Sequence, residues 1–269
     1  MYQNLLWSSI VTTEKNYHFI TGLPRSGSTL LSSILLQNPR FHASITDPLA
    51  TFVKGVLETL GNEPGMKSEV SVERRINTLH GMFDGFYKHV DKPVIFNTNR
   101  AWTLLTPQIR EIYPKAKLIV CVRDINWILD SFETAHRKQP FQFNTVGGGP
   151  SKTVYDRVED MMDQKGIVGF PYVGIKQAIT SEEKNRLLLI EYDQLCKSPE
   201  QTMKSIYAFI REDYYEHDFN NVERNWDSYD SEIGINLHRV RQKVESIPRQ
   251  FILPPDILNK YAKMEVWRY

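Results

Sequence analysis

In residues 17–31 the apolar run Tyr-His-Phe-Ile-Thr stops at Gly22. Leu-Pro-Arg-Ser-Gly-Ser-Thr follows before apolar residues resume at helical spacing. Strand, glycine turn, then helix is the geometry in which backbone N–H groups converge on an anion. Gly22 and Gly27 permit turns that a side chain would obstruct. Ser28 and Thr29 add hydroxyls at the first helical turn, where the helix dipole favours negative charge. The glycine spacing is that of G-x-x-x-x-G-K-[ST], whose lysine reaches the β- and γ-phosphates of a nucleotide. Here Ser28 stands at the lysine position and the positive charge lies within the loop, at Arg25. A planar guanidinium takes two oxygens of one anionic group. The loop therefore points to a nucleotide whose terminal group sits over the loop itself, with no metal-bound triphosphate beyond it. An ordinary strand–helix turn is the plain alternative, and it explains the Arg-Ser-Gly-Ser-Thr cluster poorly.

The elements that must position this loop are visible as short apolar runs at 17–21, 93–97, 117–122 and 186–192. Continuous runs of this kind suit strands buried on both faces of a parallel sheet. Helical patterns fall at 27–37, 48–61, 71–89, 102–113, 124–137 and 199–211; Pro48 and Gly61 punctuate the second of them. Strand alternating with helix predicts right-handed βαβ units: an α/β fold of three layers, with a mainly parallel central sheet flanked by helices. The expectation is one domain over residues 1–269. Ligands in such sheets bind beyond the carboxyl ends of the strands, which is where the loop belongs.

The stretch "GLPRSGSTLL" resembles the 5′-phosphosulfate loop of the sulfotransferase superfamily, which uses 3′-phosphoadenosine-5′-phosphosulfate (PAPS) and releases adenosine 3′,5′-bisphosphate (PAP). The form with arginine is that of tyrosylprotein, bacterial and carbohydrate sulfotransferases. The resemblance implies a P-loop NTPase-like fold and 5′-phosphosulfate contacts from Arg25, Ser26, Gly27, Ser28 and Thr29. In "KLIVCVRDINWILDSFET", Arg123 follows a strand and Ser131 comes eight residues later. The superfamily's 3′-phosphate motif has the same arginine–serine separation, which assigns Arg123 and Ser131 to that phosphate. "LLLIEYDQL" resembles a further family segment and implies that Tyr192 borders the adenine. In "NLHRVRQKV", with Arg239, Arg241 and Lys243, Arg241 is the expected 3′-phosphate contact, and a solvated helix face is the alternative. The resemblance covers about residues 17–210.

It also implies in-line transfer of a sulfuryl group to a hydroxyl or amine, with positioning and charge stabilisation doing the catalysis and no metal required. Arg25 would bear on the leaving phosphate, and Arg100 is placed to stabilise the transferring group or to pair with a surface carboxylate. A base is needed within hydrogen-bond reach of the acceptor. Asp47 lies one position beyond the point where tyrosylprotein-type relatives carry a glutamate. It immediately precedes Pro48 and a helix, so an N-cap is the competing role. His42 and the segment Asn97-Thr98-Asn99-Arg100 are the other places to look. Cytosolic relatives carry a histidine base near that segment, and this chain has none there.

Composition limits the rest. The chain has 269 residues with a net charge of +1, so a polyanion such as nucleic acid is not an expected partner and any anion site is local. The expected partner is a small-molecule, saccharide or peptide acceptor. Two cysteines exclude a disulfide framework, and Cys121 within "AKLIVCV" reads as a buried inert thiol. No apolar run approaches the roughly 20 residues needed to span a bilayer. The N-terminus lacks a signal-peptide pattern, so the chain reads as soluble and cytoplasmic. "FNTVGGGPSKT" (143–153) reads as a mobile loop, either a lid or a connector. Residues 211–232 read as an acidic, aromatic, solvated face. Two other functions remain open: a P-loop small-molecule kinase, opposed by Ser28 and the Arg123/Ser131 pair, and a nucleotide-binding scaffold without catalysis.

Overall fold

The computed structural model describes residues 15–62, 64–138, 152–222, 238–248 and 250–268. Five parallel strands form one sheet: β1 (Asn16–Gly22), β2 (Phe41–Ala43), β3 (Val94–Thr98), β4 (Leu118–Val122) and β5 (Leu187–Glu191), in the order β2-β3-β1-β4-β5. The strand at the centre, β1, pairs with β3 on one side and β4 on the other. The chain changes sides there, so a crevice opens past the ends of β1 and β4.

Side-chain alternation along the strands explains the three layers. Tyr17, Phe19, Ile95, Leu118, Val120 and Val122 pack into the core on one face. Ile20, Val94, Phe96, Ile119 and Cys121 pack into a second core on the other. β1, β3, β4 and β5 carry apolar residues at both parities, which is why each reads as a mainly apolar run, whereas β2 has His42 between Phe41 and Ala43. The first face is covered by α2 (Leu49–Asn62), α4 (Val72–Phe86), α5 (Thr106–Ile112), α6 (Ile125–Lys138), α7 (Val154–Met162) and α8 (Gly169–Thr180). The second is covered by α1 (Ser28–Leu35), α9 (Tyr192–Lys197) and α10 (Pro199–Ile210). The short α3 (Pro64–Glu69) extends the α2 edge, and α11 (Pro255–Lys260) docks on the first face.

Several elements depart from the sequence expectations. The helix expected over 102–113 is a 3₁₀ turn, Arg100–Leu104, followed by α5. Pro107 at the start of α5 supplies no N–H to a preceding turn, so one continuous helix cannot form. The sequence reading did not identify β2, which has only three residues. It also did not identify α7, although Thr153 and Asp156 form a reciprocal capping box at its start. The basic segment 238–248 is not helical. Val240 and Val244 are buried, and backbone bonds run from Val222 N to Gln242 O (2.8 Å) and from Val244 N to Phe219 O (2.9 Å). Of the glycine-rich loop, residues 143–151 lie outside the described residues, as do 223–232 of the acidic-aromatic stretch.

Candidate anion-binding cleft

A cleft of about 1050 Å³ opens past the carboxyl ends of β1, β3 and β4. Its floor is the loop that joins β1 to α1. Gly22 leaves β1 at φ +125°, and a Cβ there would lie 2.0 Å from the Cys121 carbonyl oxygen. Only glycine lets β1 run that close to β4. Arg25 holds a left-handed backbone at φ 58°, uncommon for a residue with a side chain and characteristic of tight functional loops. Gly27 is the N-cap of α1 at φ 92°, so no side chain caps the helix, and its first turn contains no acidic residue. The N–H groups of that first turn have no intrahelical acceptor, and the helix dipole adds partial positive charge. Gly27, Ser28 and Thr29 all line the cleft.

Ser26 has a different role. Its hydroxyl is buried and donates toward the carbonyl oxygens of Leu23 (2.5 Å) and Cys121 (2.9 Å). It pins the loop to β4, which leaves the Ser26 main chain as the part that can meet a ligand.

The opposite wall comes from the end of β4 and from α6. Arg123 follows β4 directly, and Asp124 Oδ1 accepts the Trp127 N–H at 2.7 Å, starting α6. One face of α6 then presents Trp127, Ser131, Thr134, Ala135 and Lys138 to the cleft. Arg25 and the two 3′-phosphate candidates meet here: Arg25 Nε donates to Ser131 Oγ at 3.3 Å, and Arg123 Nη1 donates to Arg25 O at 3.4 Å. Arg123 is only 5% exposed. Its guanidinium carbon lies 3.0 Å from the Trp127 ring centroid and 3.6 Å from that of Tyr192. Its Nε is buried with no hydrogen-bond partner. Burial pulls the Arg123 pKa down to about 10, which still leaves the group charged at neutral pH. A buried cation with an unpartnered N–H is a costly arrangement in an isolated protein, and an anionic ligand would satisfy it.

The strap at 238–248 closes one side. Arg239, Arg241 and Lys243 are exposed and line the cleft, alternating with Val240, Gln242 and Val244. Among the described residues, the lining holds Arg25, Arg100, Arg123, Lys138, Lys165 and the three strap cations against one acid, Glu245. In a chain of net charge +1, that imbalance is local.

Of the residues considered for a base, Asp47, His42 and Asn97 are outside the cleft lining, whereas Thr98, Asn99 and Arg100 are part of it. Ile45, Thr46, Thr98, Asn99 and Arg100 form the cleft wall at the ends of β2 and β3, and Asp47 is not part of its lining. Asp47 is 7% exposed, and its Oδ2 accepts from Ser44 Oγ and, at 2.9 Å, from Tyr87 OH. Nor does it cap α2, because the Pro48 carbonyl accepts the first helical bond from Phe52 N. Asp47 instead ends a directed chain: Trp102 Nε1 donates to Asn97 Oδ1 (2.8 Å), Asn97 Nδ2 to Tyr87 OH (2.7 Å), and Tyr87 to Asp47. Three donors in series need a final acceptor, and a carboxylate is one. Burial nevertheless raises the Asp47 pKa, against the lowering effect of Ser44, Tyr87 and Thr98. Asn97 is fully buried inside this network. His42 is half-buried with its ring edge on Tyr87, and burial lowers its pKa. Sequence reasoning missed Trp127, Lys138 and Lys165. The first was legible as Asp-x-x-Trp after a strand arginine, and the other two carry no local signal.

A parallel α/β sheet with an uncapped helix start, an arginine in the loop and a second arginine one strand away makes a candidate anion site with two cationic receptors. The Sulfotransferase family matches residues 18–216, and the chain belongs to that family. Solved structures share the fold. The sulfotransferase domain from the curacin biosynthetic pathway is 17% identical, with 75% of each chain covered and a TM-score of 0.52. A sulfotransferase from Alicyclobacillus acidocaldarius is 15% identical over 82% of this chain and 92% of that one, with a TM-score of 0.52. Retinol dehydratase in complex with retinol and PAP is 15% identical over 93% and 80% of the two chains, again with a TM-score of 0.52. A search of curated protein sequences found no match. Cys121 is a buried free thiol whose pKa burial pushes up to about 12, and among the described residues no helix is long and apolar enough to cross a membrane.

Proposed function

We propose that the protein transfers a sulfuryl group from PAPS to a hydroxyl or amine acceptor and releases PAP. The observation that carries this reading is the pair of anion receptors on one cleft. The uncapped start of α1 with Arg25 suits the 5′-phosphosulfate, and Arg123 with Ser131 suits a separate 3′-phosphate. A triphosphate chain has no use for the second receptor. The complex of retinol dehydratase with PAP supports the same donor.

The donor supplies an activated sulfuryl group: its S–O bond to the phosphate breaks as the acceptor oxygen bonds to sulfur. The protein's task is to hold both ends and stabilise moving charge. Loop N–H groups and Arg25 gain strength as charge collects on the leaving phosphate. Arg123, Ser131 and the strap cation Arg241 fix the nucleotide, so that its 5′ end lies over the loop. Arg100, at the end of β3, faces the transferring group. Tyr192 lines the cleft and serves the site through Gly27 and Arg123, which it touches. The acceptor enters beside Thr46, Ile167 and Phe170, which line the same cleft. Structural neighbours were solved with retinol and with androsterone, small molecules of one hydroxyl each, which makes small-molecule acceptors the first to screen. Asp47 holds the wall formed by residues 44–47 and 97–99, and the acceptor proton passes to a group on the lining. The imidazole and carboxylate there are His238 and Glu245.

The test is radiosulfate transfer from labelled PAPS to a panel of phenols, alcohols, saccharides and tyrosyl peptides, with PAP added as product inhibitor. Transfer to at least one acceptor, inhibited by PAP, is expected. Binding of PAP without transfer to any acceptor would instead favour a nucleotide-binding scaffold.

A further inference from the structure

Two aromatic rings converge on Arg123 from different elements, for reasons visible in the chain. Side chains on a helix lean toward its N-terminus, so Trp127 in the first turn of α6 lies back over the residue four positions earlier. The Asp124 cap on the Trp127 N–H fixes that turn. On the other side, β4 and β5 run parallel with Val122 opposite Glu191, so the next residues, Arg123 and Tyr192, leave the sheet side by side. The two rings lie 6.3 Å apart at an interplanar angle of 27°, close to the spacing of two faces with one planar group between them. The guanidinium fills that gap at 3.0 and 3.6 Å from the ring centroids. Tyr192 is backed by Gly27, where an added Cβ would lie 2.6 Å from its ring.

With both faces covered, an anion can reach Arg123 only through its N–H edge. Nη1 is engaged by Arg25 O, and Nε has no hydrogen-bond partner. No carboxylate oxygen lies within salt-bridge distance of Arg123 among the ion pairs of the described residues. Stacking therefore fixes this cation where a counter-ion usually would, and a carboxylate there would compete with the ligand.

We propose that Trp127 is a positioning residue of the donor site: with Tyr192 it clamps the Arg123 guanidinium so that its N–H edge receives the 3′-phosphate. This rests on the PAPS reading above. The competing role for the rings is to stack the adenine, which would require Arg123 to leave the gap.

Calorimetry with PAP and with adenosine 5′-monophosphate, which lacks the 3′-phosphate, separates the roles. Trp127→Leu should weaken PAP by at least about tenfold while leaving adenosine 5′-monophosphate within about twofold. Trp127→Phe should restore most of the PAP affinity. Adding Trp127→Leu to Arg123→Ala should cost little more than Arg123→Ala alone, because the ring acts through the arginine. Equal losses on both nucleotides, or a full loss in the Arg123→Ala background, would overturn the proposal. A second readout does not depend on the nucleotide. In ¹⁵N–¹H spectra the Arg123 Nε–H signal, identified by its disappearance in Arg123→Lys, should lie upfield of the other arginines and move downfield in Trp127→Leu. If the wild-type protein binds neither nucleotide, the PAPS reading fails while this signal still decides the clamp; an ordinary, unshifted position refutes it.

Discussion

Gly27→Ala perturbs the floor of the cleft at a single atom. Alanine would be held at φ 92°, outside the backbone region that residues with a Cβ prefer, at a cost of roughly 1–2 kcal/mol. The new Cβ would also lie 2.6 Å from Tyr192 Cδ2 and 3.2 Å from Cε2. Carbon atoms pack at about 3.5–4.0 Å, so the ring or the loop must give by roughly 1 Å. The Tyr192 ring has little room to retreat, because the Arg123 guanidinium stacks on it at 3.6 Å. We expect a total loss of about 2–3 kcal/mol, which for a chain of this size lowers Tm by roughly 4–10 °C. Donor binding should suffer more than stability. Displacing the N–H groups at the start of α1 removes charge-assisted hydrogen bonds worth about 1.5–3 kcal/mol each, a loss of PAP affinity of roughly tenfold to a hundredfold. Differential scanning fluorimetry and calorimetry measure the two quantities on the same sample. Gly55→Ala is the control, since nothing lies within 4 Å of a Cβ there; it should be neutral or slightly stabilising in helix α2. A Gly27→Ala protein that melts and binds PAP like wild type would refute the account of the loop.

Three further outcomes follow from the same geometry. Arg25→Ala should leave Tm nearly unchanged and cut kcat/KM at limiting PAPS by about tenfold or more, the scale of a lost charged contact; unchanged kinetics would remove Arg25 from the site. Arg123→Ala and Ser131→Ala should weaken PAP far more than adenosine 5′-monophosphate, and calorimetry showing equal losses would make the pair structural. Asp47→Asn should keep turnover within about tenfold, because asparagine can end the donor chain with its carbonyl. A loss beyond about 10²-fold with Tm and donor affinity intact would restore Asp47 as the base. The same variant has a pH signature. Burial raises the Asp47 pKa above 3.8 in the folded chain, so the folded state keeps a proton that the unfolded chain has released. Its contribution to stability is therefore full below pH 3.8 and falls as pH rises through the folded value. Stability of wild type relative to Asp47→Asn should decline over that window in pH-dependent denaturation.

The strands and the loop were legible because their signals are local. Four apolar blocks, each ending in a polar or glycine turn, became β1, β3, β4 and β5. Pro24, Gly22 and Gly27 marked the loop without reference to anything distant. The arginine–serine spacing brings Arg123 and Ser131 to one cleft for the same reason, since eight residues across a strand end and two helical turns set a fixed geometry. What failed depended on partners far along the chain. Asp47 reads as a base or a cap beside Pro48, and the groups that surround its carboxylate include Tyr87, itself bonded by Asn97, which arrive from other elements. Ser26 looks like one more hydroxyl of the loop until β4 supplies the Cys121 carbonyl that turns it inward. The basic strap reads as a 3′-phosphate contact or a solvated helix face, and its non-helical course is set by distant contacts with residues 219–222. Tyr192 shows the same limit, since its neighbour Arg123 lies 69 positions earlier and becomes adjacent only through the pairing of β4 with β5.

The most direct test of the account is a calorimetric comparison of PAP with ATP plus magnesium, using the wild-type protein and the Arg123→Ala variant. The account predicts one-site binding of PAP by wild type, at least about a hundredfold tighter than ATP with magnesium, and loss of that preference when Arg123 is removed. Preference for ATP with magnesium, or PAP binding indifferent to Arg123, would contradict the claim that this cleft is built for a nucleotide with a separate 3′-phosphate.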